Sequence, residues 1–416
     1  MAESGHTSSD QPSPNRKRVR RQRSVFERIL INRIRLDRQG VRKQLPETGS
    51  VELKLPPQQI PTGLWYKIVR YLRLAVRGLI FLCLLCFVLL IAGFHGWGQS
   101  NITFAALMYL PPWIWVVPLF LLLVPALILD RKSAFGLSLA IVLFFAFHID
   151  VRLFGPAAPE FTGSSATLKV LTWNRGQDNG VSLRPIKDSL QPDFITLQET
   201  RGSGYGGSPD YAEFTQVSNV GEFVLLSRWP ILDATPVRQP GSDSVSAIRY
   251  QVLFEGERLV IYNVHLPSPR AVLDSYKRGA FLWGIIGFPG SPWESKKLHY
   301  QAFWDQQILI AQKIADNIAK EKDPVLVLGD FNTPAFGPIY RVFSSQFQDA
   351  HMKAGEGTGF TFPGNTHNPL ALFRPWLRLD MIFAPRNWNL WSSKTIQAQS
   401  QHCPVFAEFQ WAGPKP

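Results

Sequence analysis

Seven short apolar runs between residues 168 and 409 each carry polar side chains at one end. Residues 168–172 lead into Trp173 and Asn174, 193–197 into Gln198 and Glu199, and 223–226 into Ser227 and Arg228. Residues 259–262 lead into Asn263, Val264 and His265, and 325–328 into Gly329, Asp330, Phe331 and Asn332. Leu379 leads into Asp380, and His402 stands ahead of the run at 404–409. The set is rich in hard oxygen donors and includes two imidazoles. One or two carboxylates completed by waters is the usual way of holding Mg2+. No thiolate belongs to the set, which argues against a structural zinc site. A hard divalent ion beside His and Asp is equipment for polarising a phosphoryl oxygen and generating a nucleophilic water.

These side chains must be positioned by the runs themselves. Runs of four to six apolar and β-branched residues predict buried strands. Trp304, Ile308, Ala311, Ala315 and Ile318 share one face of a helix between two of them. Strands with interleaved helices predict an α/β layered domain over 155–416, whose strand-end residues converge on one rim. Composition agrees: 45% hydrophobic and 18% charged residues exclude a disordered chain, and three cysteines exclude a disulfide scaffold. Cys83 and Cys86 fall in an apolar stretch and Cys403 stands alone, so no disulfide is expected within the large domain. The net charge of +13 suggests nucleic-acid binding. Residues 1–77, however, hold 17 basic and 6 acidic residues, a net of +11, whereas 78–416 carry only +2. The basicity belongs to a tail.

That tail precedes a predicted membrane module. Residues 16–43 read either as a basic surface helix for anionic lipid or as a positively charged topogenic tail. Residues 78–97 carry no formal charge apart from a titratable His95, and these 20 residues reach about 30 Å, the thickness of a hydrocarbon core. Residues 105–129, with Pro111, Pro112, Pro118 and Pro125, predict a second, kinked span, and 133–149 a third, short one. The positive-inside rule keeps the +11 tail in the cytoplasm, puts the uncharged 99–103 loop outside and turns Asp130-Arg131-Lys132 inside. Everything after Asp150 is then exoplasmic, in the periplasm of a cytoplasmic (inner) membrane. If the third stretch is re-entrant instead, the large domain is cytoplasmic. The expected organisation is a basic tail (1–77), three transmembrane helices (78–154) and one catalytic domain (155–416).

The segments LTWN, ITLQE, LLSRWPI, YNVHL, LVLGDFNTP, TGFTFPG, RLDMIFA and SQHCPV, in this order, resemble the endonuclease/exonuclease/phosphatase superfamily, the group of deoxyribonuclease I, exonuclease III, neutral sphingomyelinases and inositol-polyphosphate phosphatases. The resemblance covers about 165–410 and implies a four-layered α/β sandwich of two mixed sheets with helices outside. It implies that Glu199 is the metal-binding carboxylate and that Asn174 supports the metal or a phosphate oxygen. Asp330 would orient or deprotonate the attacking water, Asn332 would hold the scissile phosphate and His265 would donate to a phosphate oxygen. Glu222 would orient His265, and Asp380 would partner His402. Either His402 or Asp330 could be the base. Gln401 departs from the family, which usually has Asp immediately before this His. A neutral amide supplies no charge there, a loss worth on the order of 10²-fold or more in rate.

The resulting expectation is a membrane-anchored hydrolase, a bacterial-type member of this superfamily, dependent on Mg2+ with Mn2+ as a substitute. It would cleave phosphodiesters of nucleic acid or of phospholipid head groups, with the lipid bilayer as partner. The alternative is a membrane scaffold that keeps the sandwich but has weakened chemistry. Arg228 and Cys403 read as structural. The apolar insertion at 279–293, GAFLWGIIGFPGSPW, reads either as a membrane or partner contact or as an extra loop packed on the sandwich.

Overall fold

In the computed structural model, which describes residues 63–149, 151–153, 166–176, 180–200, 204–364 and 375–411, four helices come first. They are α1 (Leu64–Gly96), α2 (Ile102–Leu107), α3 (Trp113–Leu129) and α4 (Arg131–Phe147). Among the described residues, α1 is the one helix both long and apolar enough to cross a membrane. The expectation of three such spans is corrected in two places. The second stretch is not one helix. It breaks before Pro111 and Pro112, because proline lacks an N–H and disfavours helical geometry in the residue before it. What remains is the short α2 and a 17-residue α3, and α4 is likewise 17 residues long. Asp130 alone separates α3 from α4. It pairs with Arg77 of α1 and accepts from the Ser133 hydroxyl at 2.8 Å. Ile80, Val116, Leu119, Leu137 and Phe144 pack the helices together. The basic stretch at 16–43, the rest of the tail to residue 62, Asp150 and the boundary at 154–155 lie outside the described residues.

The strands form two six-stranded mixed sheets. One has the order β11-β12-β1-β2-β4-β3, built from β1 (Thr167–Asn174), β2 (Phe194–Gln198), β3 (Gln216–Val220), β4 (Phe223–Ser227), β11 (Asn389–Thr395) and β12 (Val405–Gln410). The other has the order β5-β6-β7-β8-β10-β9, built from β5 (Ile231–Arg238), β6 (Val245–Phe254), β7 (Glu257–His265), β8 (Val325–Asp330), β9 (Gln348–Asp349) and β10 (Asp380–Ala384). The central strands read as unbroken apolar runs because both faces are covered. In β1, Leu168 and Val170 enter the core between the sheets, whereas Leu171 and Trp173 face the outer layer. In β8, Leu326 and Leu328 face inward and Val325 and Val327 face outward. The outer layers are helical. After α5 (Arg184–Leu190) on the first sheet, the chain adds α6 (Arg270–Tyr276), α7 (Trp283–Ile286) and α8 (Glu294–Ile318), and Ile310, Ala311, Ile314 and Ile318 of α8 cover the second sheet. Two short helices, α9 (Pro338–Ser344) and α10 (Ala350–Ala354), follow β8.

The insertion after His265 is more regular than its Gly and Pro content suggests, since it contains α6, a 3-10 turn and α7. Ala280 joins Ile102, Ala105, Ala106, Tyr276 and Trp304 in one apolar cluster, so the segment between α1 and α3 is packed onto the sandwich. Gln99 in that segment donates to the Thr333 hydroxyl at 2.6 Å, and its carbonyl accepts from Gln301 at 3.0 Å.

Candidate active site

Strand direction explains why polar residues gather at one rim. β1 and β2 are parallel, as are β7 and β8, so all four end at the same edge. β12 is antiparallel to β1, and β10 to β8, so both begin there. Asn174, Glu199, His265 and Asp330 therefore come from strand ends, and Asp380 and His402 from strand starts. The register sets His265 opposite Asp330, and Asp330 opposite Asp380. Buried Gln198 and Asn263 bridge the two sheets beneath the rim at 2.6 Å. Gly329 adopts φ 143°, and a Cβ there would strike the Val264 carbonyl oxygen. Only glycine lets β8 approach β7 this closely.

Asp330 is the hub. Its side chain is fully buried. It accepts from Asn174 Nδ2 at 2.8 Å and from the Asn332 backbone N–H at 2.8 Å. Nε2 of His402 lies 3.8 Å away and Nε2 of His265 3.9 Å away. Burial pushes the Asp330 carboxyl up to about 6. Asp380 adds to the rise, and the two imidazoles oppose it. His402 holds Asp380 through Nδ1 at 2.8 Å. Burial works against charge on that imidazole, but Asp380 and Asp330 outweigh it and raise His402 to about 9. His265 holds Glu222 through Nδ1 at 2.7 Å. Burial again opposes its charge, and Glu222 and Asp330 prevail, so His265 sits above the ordinary imidazole value and Glu222 below the ordinary carboxyl value. Each imidazole thus has one nitrogen fixed on its own carboxylate and the other turned toward Asp330.

Glu199 faces the same space. Its Oε1 accepts from Asn174 at 3.0 Å and lies 3.5 Å from His265 Nε2. Glu199 and Asn332 adopt φ 49° and 47°, left-handed conformations uncommon for non-glycine residues and often found where a side chain must be aimed at a site. Glu199, His265 and Asp330 offer ligand atoms within 4.8 Å of one another, as do Asp330, Asp380 and His402. Nε2 of His265 is buried and has no hydrogen-bond partner among the described residues. The carboxylates Glu199 and Asp330 suit a divalent cation, with the His265 imidazole beside them as a donor. A cleft of about 180 Å³ opens over these groups, with Glu199, Asn332, His402, Arg270, Gln401 and Tyr109 in its wall.

The structure brings Asn174, Glu199, Glu222, His265, Asp330, Asn332, Asp380 and His402 together. Gln401 stands apart: its side chain is exposed on the cleft wall, 3.4 Å from Arg270 Nη2. Arg378 pairs with Asp349 and leaves Asp380 to His402. Arg228 follows β4 at the opposite edge and stacks over Phe214 at 5.7 Å, and Cys403 is buried beside the site. Sequence reasoning missed Tyr109, which donates to the Asn332 carbonyl at 2.7 Å, and Arg270 of α6. It also assigned no role to Thr361, whose hydroxyl lies 3.1 Å from the Asp380 backbone N–H. Thr361 carried a signal, since it sits inside the TGFTFPG motif, but Tyr109 carried none.

Two packed mixed sheets with this rim define a class of hydrolases acting on phosphoester bonds. The chain belongs to the Endonuclease/Exonuclease/phosphatase family, whose model matches residues 171–402. Solved structures of similar fold include D. rerio TDP2 humanised by 14 mutations (16% identity, TM-score 0.42, covering 59% of this chain and 99% of that one). The endonuclease/exonuclease/phosphatase from Bacteroides vulgatus is 15% identical with TM-score 0.40, covering 59% and 98% of the two chains. The 3'-5' exonuclease NExo from Neisseria meningitidis is 17% identical with TM-score 0.38, covering 59% and 100%. None of the curated proteins compared matches the sequence.

Proposed function

We propose that this protein is a membrane-anchored, Mg2+-dependent phosphodiester hydrolase, with Mn2+ as a substitute. The observation that carries this reading is the buried Asp330 held between two imidazoles, each backed by its own carboxylate, beside Glu199. Glu199 and Asn174 would hold the ion, whose positive charge would offset the negative charge of the phosphoryl oxygens. The chain's own groups then divide the work. His402, kept cationic by Asp380, donates to a phosphate oxygen or moves a proton with Asp330. His265, kept cationic by Glu222, donates to a second phosphate oxygen. Asp330, with its carboxyl raised toward neutrality, orients or deprotonates the attacking water. Asn332, fixed by its Nδ2 donation to the Leu266 carbonyl at 2.9 Å, holds the phosphate side of the cleft. Burial of the hub keeps these charges strong. The scaffold alternative has less support, because both imidazoles of the site, His265 and His402, keep their carboxylates although Gln401 is neutral.

In this reading α1 anchors the chain in a cytoplasmic (inner) membrane with the shorter α3 and α4 packed beside it, the tail ahead of it stays in the cytoplasm, and residues 155–416 work in the periplasm. Support comes from the Arg77–Asp130 pair at one end of the bundle and the sandwich at the other. Phe81, Val88, Leu121, Ile128, Phe135 and Val142 point outward, exposed, along all three helices. The substrate is a nucleic acid or a phospholipid head group, and the net charge of +2 over 78–416 favours the lipid. Incubating the purified full chain with plasmid DNA and with phospholipid vesicles, in Mg2+ or Mn2+, separates the two. Hydrolysis of the vesicle lipid alone is expected. Hydrolysis of neither would favour the scaffold.

A further inference from the structure

We infer that residues 281–298 form a bilayer-seating face that sets the cleft at the lipid–water interface, an inference that rests on the bundle being a membrane anchor. Ile285 and Phe288 are 64% and 63% exposed, and Leu282, Ile286, Trp293 and Leu298 are exposed beside them. Such a contiguous apolar patch is uncommon on a surface facing only water. Its occupant is indicated by position and by chemistry. In position, α7 packs on α2, which begins six residues after α1 ends. Gly284 is pressed so closely onto Thr103 that a Cβ would clash with it, and the Thr103 hydroxyl donates to the Phe281 carbonyl at 2.7 Å. The patch therefore continues the outer end of the bundle. In chemistry, Lys296 is exposed and lies over both Trp283 and Trp293, 5.3 and 4.9 Å from their ring centroids. Tryptophan with lysine at the end of an apolar bundle is the composition of a membrane interface, where the ring spans the boundary and the ammonium meets lipid phosphate. A protein partner would fit the apolar area but not this continuity with the helix ends.

The consequence for substrate follows from α6. Arg270, Leu273 and Asp274 of α6 wall the cleft, and Tyr276 at the end of the same helix belongs to the apolar cluster against which Phe281 and Trp283 of the patch pack. Seating the patch on lipid brings the cleft wall to the surface where phospholipid head groups lie. A phosphodiester presented by the bilayer would then reach the site without leaving it.

The test uses the full chain in nanodiscs of phosphatidylcholine and phosphatidylglycerol. An environment-sensitive fluorophore is placed in turn by Ile285→Cys, Phe288→Cys, Leu121→Cys and Lys322→Cys, in a background carrying Cys83→Ala, Cys86→Ala and Cys403→Ala. Lys322 is exposed beyond the far end of the 25-residue α8, a helix about 37 Å long whose first turns carry part of the patch. Leu121 is an outward residue of α3. Blue-shifted emission at 285 and 288, quenched by a nitroxide near the lipid head group, with neither effect at 322, is the expected result. Emission at 285 and 288 like that at 322, with 121 quenched by a deep nitroxide, would overturn the seating face and leave the anchor standing. Loss of quenching at 121 as well would remove both. A blue shift at 285 and 288 without lipid quenching would mean that protein covers the patch, which also overturns the inference.

Discussion

The Tyr109 hydroxyl donates to the Asn332 backbone carbonyl at 2.7 Å. Tyr109 lies between α2 and α3, and Asn332 holds its left-handed turn at the rim. One hydrogen bond therefore ties the segment joining the apolar helices to the turn that carries Asp330 and Asn332. Burial pushes the Tyr109 phenol far above its ordinary value, so it stays a donor at any working pH.

Replacing Tyr109 by Phe removes that bond and keeps the ring. A net loss of about 1 kcal/mol is expected, read as roughly a fivefold lower kcat with KM nearly unchanged. Steady-state kinetics of the full chain checks it. An unchanged kcat would make the contact merely structural.

His402 is held at about 9 in the folded chain, against about 6.5 for a free imidazole. The folded value is the higher one. The stability that this pair contributes is therefore fully present below about 6.5 and is lost as pH rises through about 9. Asp380→Asn should lower the His402 value, flatten that alkaline loss and cost about 3 kcal/mol or more at neutral pH, because it breaks a buried pair. Thermal unfolding against pH reads the stability, and NMR titration of the imidazole reads the shift. An alkaline limb that does not move on substitution would contradict the assignment.

Glu222 raises His265 through Nδ1. Glu222→Gln should lower the His265 titration and cost about tenfold in kcat. The effect is modest because the Glu222 side chain is 42% exposed and solvent screens it. Rescue by Glu222→Asp is not expected, since the shorter side chain would not reach.

Gln401 stands on the cleft wall beside Arg270 rather than in the buried ring. Gln401→Asp should change stability by less than about 0.5 kcal/mol, as exposed substitutions do. The added negative charge at the cleft should raise kcat by about tenfold. Unchanged kcat in parallel assays would mean that this chemistry works without a charge at the position.

Most of the rim was legible because a central strand covered on both faces leaves an unbroken apolar run, and the first polar residue after it marks a sheet edge. The pattern does not reveal direction. Arg228 follows its run just as Glu199 does, yet β4 is antiparallel to β2 and Ser227 pairs with Phe194 at the far edge. For the same reason Glu222, which precedes β4, lies at the site. Tyr109 was invisible because its role depends on a turn more than 200 residues away. The expected second span failed because its apolar content hid the break at Pro111 and Pro112. The helix α7 was missed because glycine and proline punctuate the 279–293 segment without preventing a single helical turn.

The most direct test of the central claim measures phosphodiester hydrolysis by the full chain in lipid, with Mg2+, with a chelator, and with Asp330→Ala. Mg2+-dependent hydrolysis that the chelator abolishes, and that Asp330→Ala lowers on the order of 10³-fold or more, is the expected result. Hydrolysis indifferent to both the chelator and the substitution would contradict it.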